Sequence, residues 1–495
     1  MNELRVLDES LRMGQQALWA TRMKTKWMLP IASVMDSAGF YQVAAMAPVS
    51  FETAAMYLYE NPWERLRLLR QHMPNTKFDF LVRSRNVVGW FLKSNDVVEL
   101  FLKTLRKIGL HSIKVFDGLN DFRNVAFHMQ VGKELGFHVK GLLTFCVSPV
   151  HTDEYFVGKA RELVALGVDA IIIADPSGSM LPERARTLIG RVRAELPKIE
   201  LHFSTHPNSG ISTPCYREAI RQGIDVLWGA CTPLANGHSF PPHATIMQLA
   251  REEGRTVDLD ERCLREMDDW FYWAAYKENR PTYEPAAFDP IAYEQTINHQ
   301  IPGGMMSNLE SQLDSLDMGH RLPEVLEEAG RVREEMGYPV MVTPFSQFVG
   351  VQATLNVVTG ERYSSVPQEM VLYCRGYYGQ SPGPIDPNVL DRVVGDLPPI
   401  DPTAYYHEKM VEKARSEKGP LSDEELLTSI FLNPDALDTF NRNRKPIEWD
   451  PHARMPLVAL VKELCKRPKL RLVDIRHNDL RVTLSRSKQA GDGTI

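Results

Sequence analysis

The sequence predicts an α/β fold built on a (β/α)8 barrel of the TIM type, followed by a mostly α-helical domain and a small C-terminal αββ appendix. Three observations predict it. Helical stretches repeatedly end in a glycine followed by a short, near-continuous apolar run. About eight such runs fall within roughly 230 residues, the size of eight βα units. No G-x-G-x-x-G turn follows any of them, although an open doubly wound sheet would normally show one. A glycine just past a helix supplies the left-handed cap, and a β-branched run without alternation suits a strand buried on both faces.

Taken in order, a short first strand is predicted near 11–18. SAGFYQVAAM after Gly39, the run Phe78–Arg83, KIGLHSIKVFD at Gly109, ELGFHVKGLLTF at Gly136, ALGVDAIIIAD at Gly167, the run 199–206 and RQGIDVLWGA at Gly223 supply the rest. The barrel is assigned to 1–255. Functional side chains of such barrels sit where strands end, which directs attention to 12–16, 83–86, 117–121, 174–178 and 204–210. Arg12, Arg83, Asp117 and His206 fall there, a mixture compatible with binding a small anion. From about 256 the period becomes helical, as in RCLREMDDWFYWAAY and LPEVLEEAGRVREEMG, and 256–400 reads as a helical domain. Residues 401–450 read as a helical extension after a proline-rich arm at 382–402. In 451–495, a helix from Pro456 and two alternating runs in KLRLVDIRHNDLRVTLSR read as αββ, a possible partner-docking module.

Composition narrows the class of function. The 495 residues are 43% apolar and 24% charged, with 57 basic against 63 acidic side chains, net charge −6. That is ordinary globular composition, and no basic stripe offers a footprint for nucleic acid or anionic lipid. The six cysteines are scattered, with no C-x-x-C pair, as expected of reduced thiols in a cytoplasmic protein. No run approaches the ~20 apolar residues needed to span a bilayer.

Several segments together resemble one family. They are LWATRM (18–23), ENPWERLRLLRQHMPNT (60–76), VFDGLNDFRN (115–124), VSPVHT (147–152), IPGGMMSNLESQL (301–313), VTPFSQFVGVQATLNVVTGERY (342–363) and GYYGQSP (376–382). The chain resembles the carboxyltransferase subunits and domains of biotin-dependent enzymes: pyruvate carboxylase, the oxaloacetate decarboxylase α subunit and the central transcarboxylase subunit. The resemblance implies a (β/α)8 barrel with a helical domain, a divalent metal at the barrel mouth, and action on carboxybiotin and a 2-oxo acid. It also implies that Arg83 contacts the oxo acid, that Gln16 lies near it, and that Thr343 shuttles a proton between biotin and substrate. Arg12 persists from the first-strand motif, and Arg85 is a substitution beside Arg83 that recharges the pocket. In sequence alone, Thr343 could equally be a helix cap, since a hydroxyl donates and accepts at once. Phe345, where relatives carry a small serine, is expected to narrow the site. Pro302-Gly303-Gly304 and Gly376-Tyr377-Tyr378-Gly379 read as structural.

The departures concern the metal. The family's donors are an aspartate, a carbamylated lysine and two histidines; the matching positions here are Met13, Ala174, Ser204 and His206. A thioether, a methyl and a hydroxyl do not hold a hard divalent ion strongly, so no metal is expected. Asp175 is expected to be ion-paired and His206 hydrogen-bonded. No A-M-K-M or V-M-K-M attachment sequence occurs, so biotin is expected in trans on a carboxyl carrier, with biotin carboxylase subunits as further partners. Two readings of function follow: a carboxyltransferase subunit of altered, metal-free chemistry, or a non-catalytic paralogue that assembles with an intact relative. A metal-independent aldolase or lyase is a third. A homo-oligomer or hetero-oligomer with a carboxyltransferase paralogue is implied.

Overall fold

A computed structural model describes residues 3–89, 91–301, 306, 309, 313–314, 317–467, 472–477 and 480–485. Eight parallel strands close into a barrel in chain order. They are β1 (Arg5–Asp8), β2 (Gln42–Met46), β3 (Phe78–Arg83), β4 (Ser112–Phe116), β5 (His138–Thr144), β6 (Ala170–Asp175), β7 (Glu200–Thr205) and β8 (Val226–Gly229). Pairing of β8 with β1, from Arg5 opposite Val226 to Asp8 opposite Gly229, completes the ring. The glycine signal corresponds to real caps: Gly109 ends the helix Asn95–Ile108 at φ +101°, a conformation that an L side chain rarely adopts.

One strand lies elsewhere than the sequence suggests. The first is Arg5–Asp8, whereas residues 10–14 form a wide helical turn and Gln15–Leu18 a short helix. β1 has only four residues and charge at both ends, so it carries little apolar signal. Leu11 and Leu18 are buried from helical turns instead.

Side chains alternate along each strand between the surrounding helices and the barrel interior. The interior holds an apolar layer of Leu7, Ala44, Leu81, Leu142, Ile172 and Trp228. The outer core includes Trp270 and Phe271 from the helix Glu261–Lys277, and Leu427 and Phe431 from the helix Asp423–Phe431. A second core joins Val325, Phe345, Phe348, Tyr373, Val389 and Val393. The helix Phe345–Thr359 in that core begins at the barrel mouth. Further on come the helix Pro456–Cys465 and an antiparallel hairpin of β9 (Leu472–His477) and β10 (Leu480–Ser485). Among the described residues no helix is long and apolar enough to cross a membrane. The Pro302-Gly303-Gly304 segment lies outside the described residues.

Candidate active site

The four positions that correspond to the metal donors implied by the resemblance lie in the turn after β1 and near or just beyond the ends of β6 and β7. Ala174 near the end of β6 and Ser204 near the end of β7 are register neighbours. Met13, in the turn after β1, and Ala174 both pack against the apolar cluster that contains Trp228 and Phe240. His206 stacks on the Phe240 ring at 4.8 Å between centroids and 30° between planes. Its Nδ1 pairs with the His238 carbonyl oxygen at 2.6 Å. Burial pushes the His206 imidazole down to about 4, so it is neutral at physiological pH.

Asp175, expected to be ion-paired, has no cationic partner among the described residues. Its carboxylate accepts from the backbone N–H groups of Ser179 (3.1 Å) and Met180 (2.8 Å) and from the Thr205 hydroxyl (2.7 Å). Those bonds satisfy it locally, while burial pushes its pKa up. Among the described residues no group of three or more histidine, cysteine, aspartate or glutamate side chains converges on a point.

A second constellation lies at the ends of β3 and β4. Arg83, Arg85, Asp117, Thr343, Phe345 and Tyr378 are among the residues around a cavity of about 20 Å³, room for one water-sized molecule. Pro344 stands between Thr343 and the helix Phe345–Thr359 as its N-cap residue and makes no side-chain cap bond. Nor does any described protein group engage the Thr343 hydroxyl. Phe345 lies on Gly118, where an added Cβ would sit 2.4 Å from the ring. It packs edge-on to Phe348, Tyr373 and Tyr378, and so fills space above the cavity. Tyr377 is structural: its hydroxyl accepts from the Leu92 N–H at 3.2 Å.

The two arginines differ. Arg83 donates from Nη1 to the Gly89 carbonyl at 3.2 Å, and its charge faces Glu52, whose carboxyl burial pushes upward. Arg85 donates from Nη1 to Asn95 Oδ1 at 2.5 Å, while its Nε is buried without a partner among the described residues. Asp117 accepts from the Ser84 hydroxyl (2.7 Å), Asn124 Nδ2 (3.0 Å) and the Leu119 and Asp121 N–H groups (2.9 and 3.0 Å). It is a hub that fixes the rim rather than a free base. Arg12 and Gln16 are not among the residues around this cavity. Arg12 reaches Glu9 at 3.5 Å, and both Arg12 Nε and Gln16 Oε1 are buried without partners among the described residues. Arg12 lies on the side of the mouth near His206, whose charged form it disfavours.

Comparison with known proteins decides the family. Residues 296–486 match the model of the conserved carboxylase domain. A pyruvate carboxylase subunit of Methanothermobacter thermautotrophicus is 38% identical over 458 residues, covering 91% of this chain and 79% of that protein. The chain belongs to the carboxyltransferase family of biotin-dependent carboxylases. The methylmalonyl-CoA carboxyltransferase 5S subunit of Propionibacterium freudenreichii is 32% identical, covering 89% of this chain and 88% of its own. The carboxyl transferase domain of Rhizobium etli pyruvate carboxylase superposes with a TM-score of 0.82 at 25% identity, over 92% of this chain and 80% of that one.

Within this carboxyltransferase, the donor set does not fit the family's metal. Met13 and Ala174 pack against an apolar cluster, and His206 directs one ring nitrogen to a backbone carbonyl.

The carboxyltransferase also holds a charged feature that sequence reasoning missed. Inside the barrel, Lys114 contacts the Glu9 carboxylate and lies 3.1 Å from Asp79, while Lys140 lies 3.0 Å from Asp79 and contacts Gln42. Lys114 also sits 4.1 Å from the Trp228 ring centroid. All four charged side chains are fully buried. Lys114 and Lys140 are register neighbours on β4 and β5, a like-charge pair that repels unless Asp79 lies between them. A signal for this existed in sequence, since each charge interrupts an apolar run (FDFLVR, SIKVF, HVKGLLT), and full burial of charge requires pairing.

Proposed function

We propose that this chain is the carboxyltransferase subunit of a multi-subunit biotin-dependent carboxylase or decarboxylase. It moves a carboxyl group between carboxybiotin on a separate carrier and a small acceptor of the 2-oxo acid type, without a metal. The observation that carries this reading is the Thr343 hydroxyl, without a hydrogen-bond partner among the described residues, at one cavity with Arg83 and Arg85. In the forward direction the N–CO2 bond of carboxybiotin breaks and a C–CO2 bond forms at the acceptor's C3. The C3 proton passes to the biotin ureido nitrogen. A hydroxyl without a competing partner suits that relay, because it accepts from carbon as it donates to nitrogen. The developing enolate is negative, and Arg85 or backbone N–H groups at the cavity supply positive potential for it; Arg12, on the His206 side of the mouth and outside this cavity's lining, is not counted among them.

Arg83 is proposed to grip the acceptor carboxylate. Arg83→Ala should weaken binding of pyruvate to the purified chain by about 10- to 100-fold, the value of a charge-assisted contact. Isothermal titration measures it, and unchanged affinity contradicts the role.

A second reading, a non-catalytic paralogue, is favoured by the small cavity and the apolar filling of the metal positions. It predicts that Arg83→Ala and Thr343→Ala leave the reconstituted complex fully active, while omission of the chain dissociates it.

A further inference from the structure

Arg85 is 3% exposed, and among the described residues no carboxylate lies within ion-pairing distance of it. A buried cation without a counter-ion is costly unless something else holds it. Several groups surround it, the Phe127 ring at 5.8 Å among them, and three matter most. Asn95 accepts from Nη1 at 2.5 Å. The Tyr406 ring lies against the guanidinium at 3.6 Å from its centroid, a close cation–π contact. The third is His128, fully buried and held neutral by burial, with the Arg85 charge pushing its pKa further down.

Tyr406 comes from the short helix Thr403–Tyr406, far along the chain from β3. It is fixed at both ends of its contact. Its hydroxyl donates to Asn124 Oδ1 at 2.8 Å. Asn124 Nδ2 donates in turn to Asp117 and to the Tyr378 carbonyl, both at 3.0 Å. Nearby, the Val411 N–H donates to Asp96 at 3.0 Å and anchors the segment beside the helix that carries Asn95. With Nη1 donating to Asn95 and one face against Tyr406, the guanidinium still has unused donor capacity, its Nε among it, and it lines the cavity.

We propose that Tyr406 is a positioning residue: it holds the Arg85 guanidinium as a carboxylate-binding cation at the cavity, and so makes the segment after residue 400 part of the acceptor site. This rests on the acceptor reading above. The aromatic face lies against the guanidinium, and the hydroxyl, besides donating to Asn124, also interacts with Arg85; phenylalanine keeps the face and should largely replace tyrosine, whereas leucine loses both contacts.

The test uses the full chain as wild type, Tyr406→Phe and Tyr406→Leu, with two readouts. One is the affinity for pyruvate by titration. The other is the rate at which phenylglyoxal modifies Arg85, followed by peptide mass spectrometry with and without pyruvate, with melting temperatures as a check on folding. Tyr406→Leu should weaken pyruvate binding about tenfold and speed Arg85 modification about tenfold, Tyr406→Phe should stay within about twofold of wild type, and pyruvate should protect Arg85 in the wild type. Unchanged modification and affinity in Tyr406→Leu overturn the proposal. Faster modification with unchanged affinity overturns Arg85 as a carboxylate site. A wild type that takes up no pyruvate, while modification still depends on Tyr406, overturns the acceptor reading and with it the binding role of Arg85, but not the Tyr406 contact.

Discussion

Thr343→Ala should lower carboxyl transfer in the reconstituted complex by roughly 100- to 10,000-fold, the range over which a positioned acid–base group contributes, while leaving pyruvate affinity within about twofold. Thr343→Ser should retain most of the activity, because it keeps a hydroxyl that donates and accepts. The structural basis is local. Among the described residues the Thr343 hydroxyl has no hydrogen-bond partner, and Thr343 borders the cavity that Arg83 and Arg85 also line. Initial rates with saturating carrier and acceptor decide the matter, and wild-type rates in the alanine variant contradict the relay.

The second large effect concerns the barrel interior. Asp79 accepts both Lys114 and Lys140, so Asp79→Asn leaves two buried ammonium groups with one shared counter-charge fewer. Removing one partner from a buried ionic cluster costs about 3–5 kcal/mol, read as a lower midpoint in guanidinium unfolding. Burial by itself would raise the Asp79 pKa, but the two lysines outweigh it and hold the carboxylate well below its ordinary range. With the folded pKa depressed, the stabilisation is complete above the unfolded value, about 3.9, and is lost as pH falls through it toward the folded value. The wild type should therefore lose stability below about pH 4 more steeply than Asp79→Asn, and parallel pH profiles would contradict the assignment.

The fold was legible in the sequence because the barrel's signals are local. A helix, its glycine cap and the strand behind it lie within one short window, and seven of the strands fall where apolar runs were read. β1 escaped because four residues flanked by charge leave no such pattern. The site was legible in part. Ala174 and Ser204 lie opposite each other because they end the adjacent strands β6 and β7, whereas Met13 follows β1 and shares with Ala174 only an apolar cluster. That Met13 and Ala174 pack into a cluster with Phe240 could not be read, because it depends on which side chains turn inward together. The partner that matters most to Arg85 was invisible for a related reason: Asn95 opens the helix just after β3, but Tyr406 reaches the guanidinium from a segment far along the chain. Asp175 illustrates the converse, since a buried carboxylate suggests an ion pair, whereas neighbouring N–H and hydroxyl donors suffice.

If this chain transfers a carboxyl group without a metal and with biotin supplied in trans, as proposed above, the direct measurement is a single turnover from carrier-bound [14C]carboxybiotin to pyruvate, with and without this chain, before and after exhaustive chelation, alongside the metal content of the chain. Label should reach oxaloacetate only when the chain is present, at a rate that chelation leaves unchanged and with less than one metal per several chains. No chain-dependent transfer, or transfer that disappears on chelation and returns with added zinc, manganese or cobalt, would contradict the proposal.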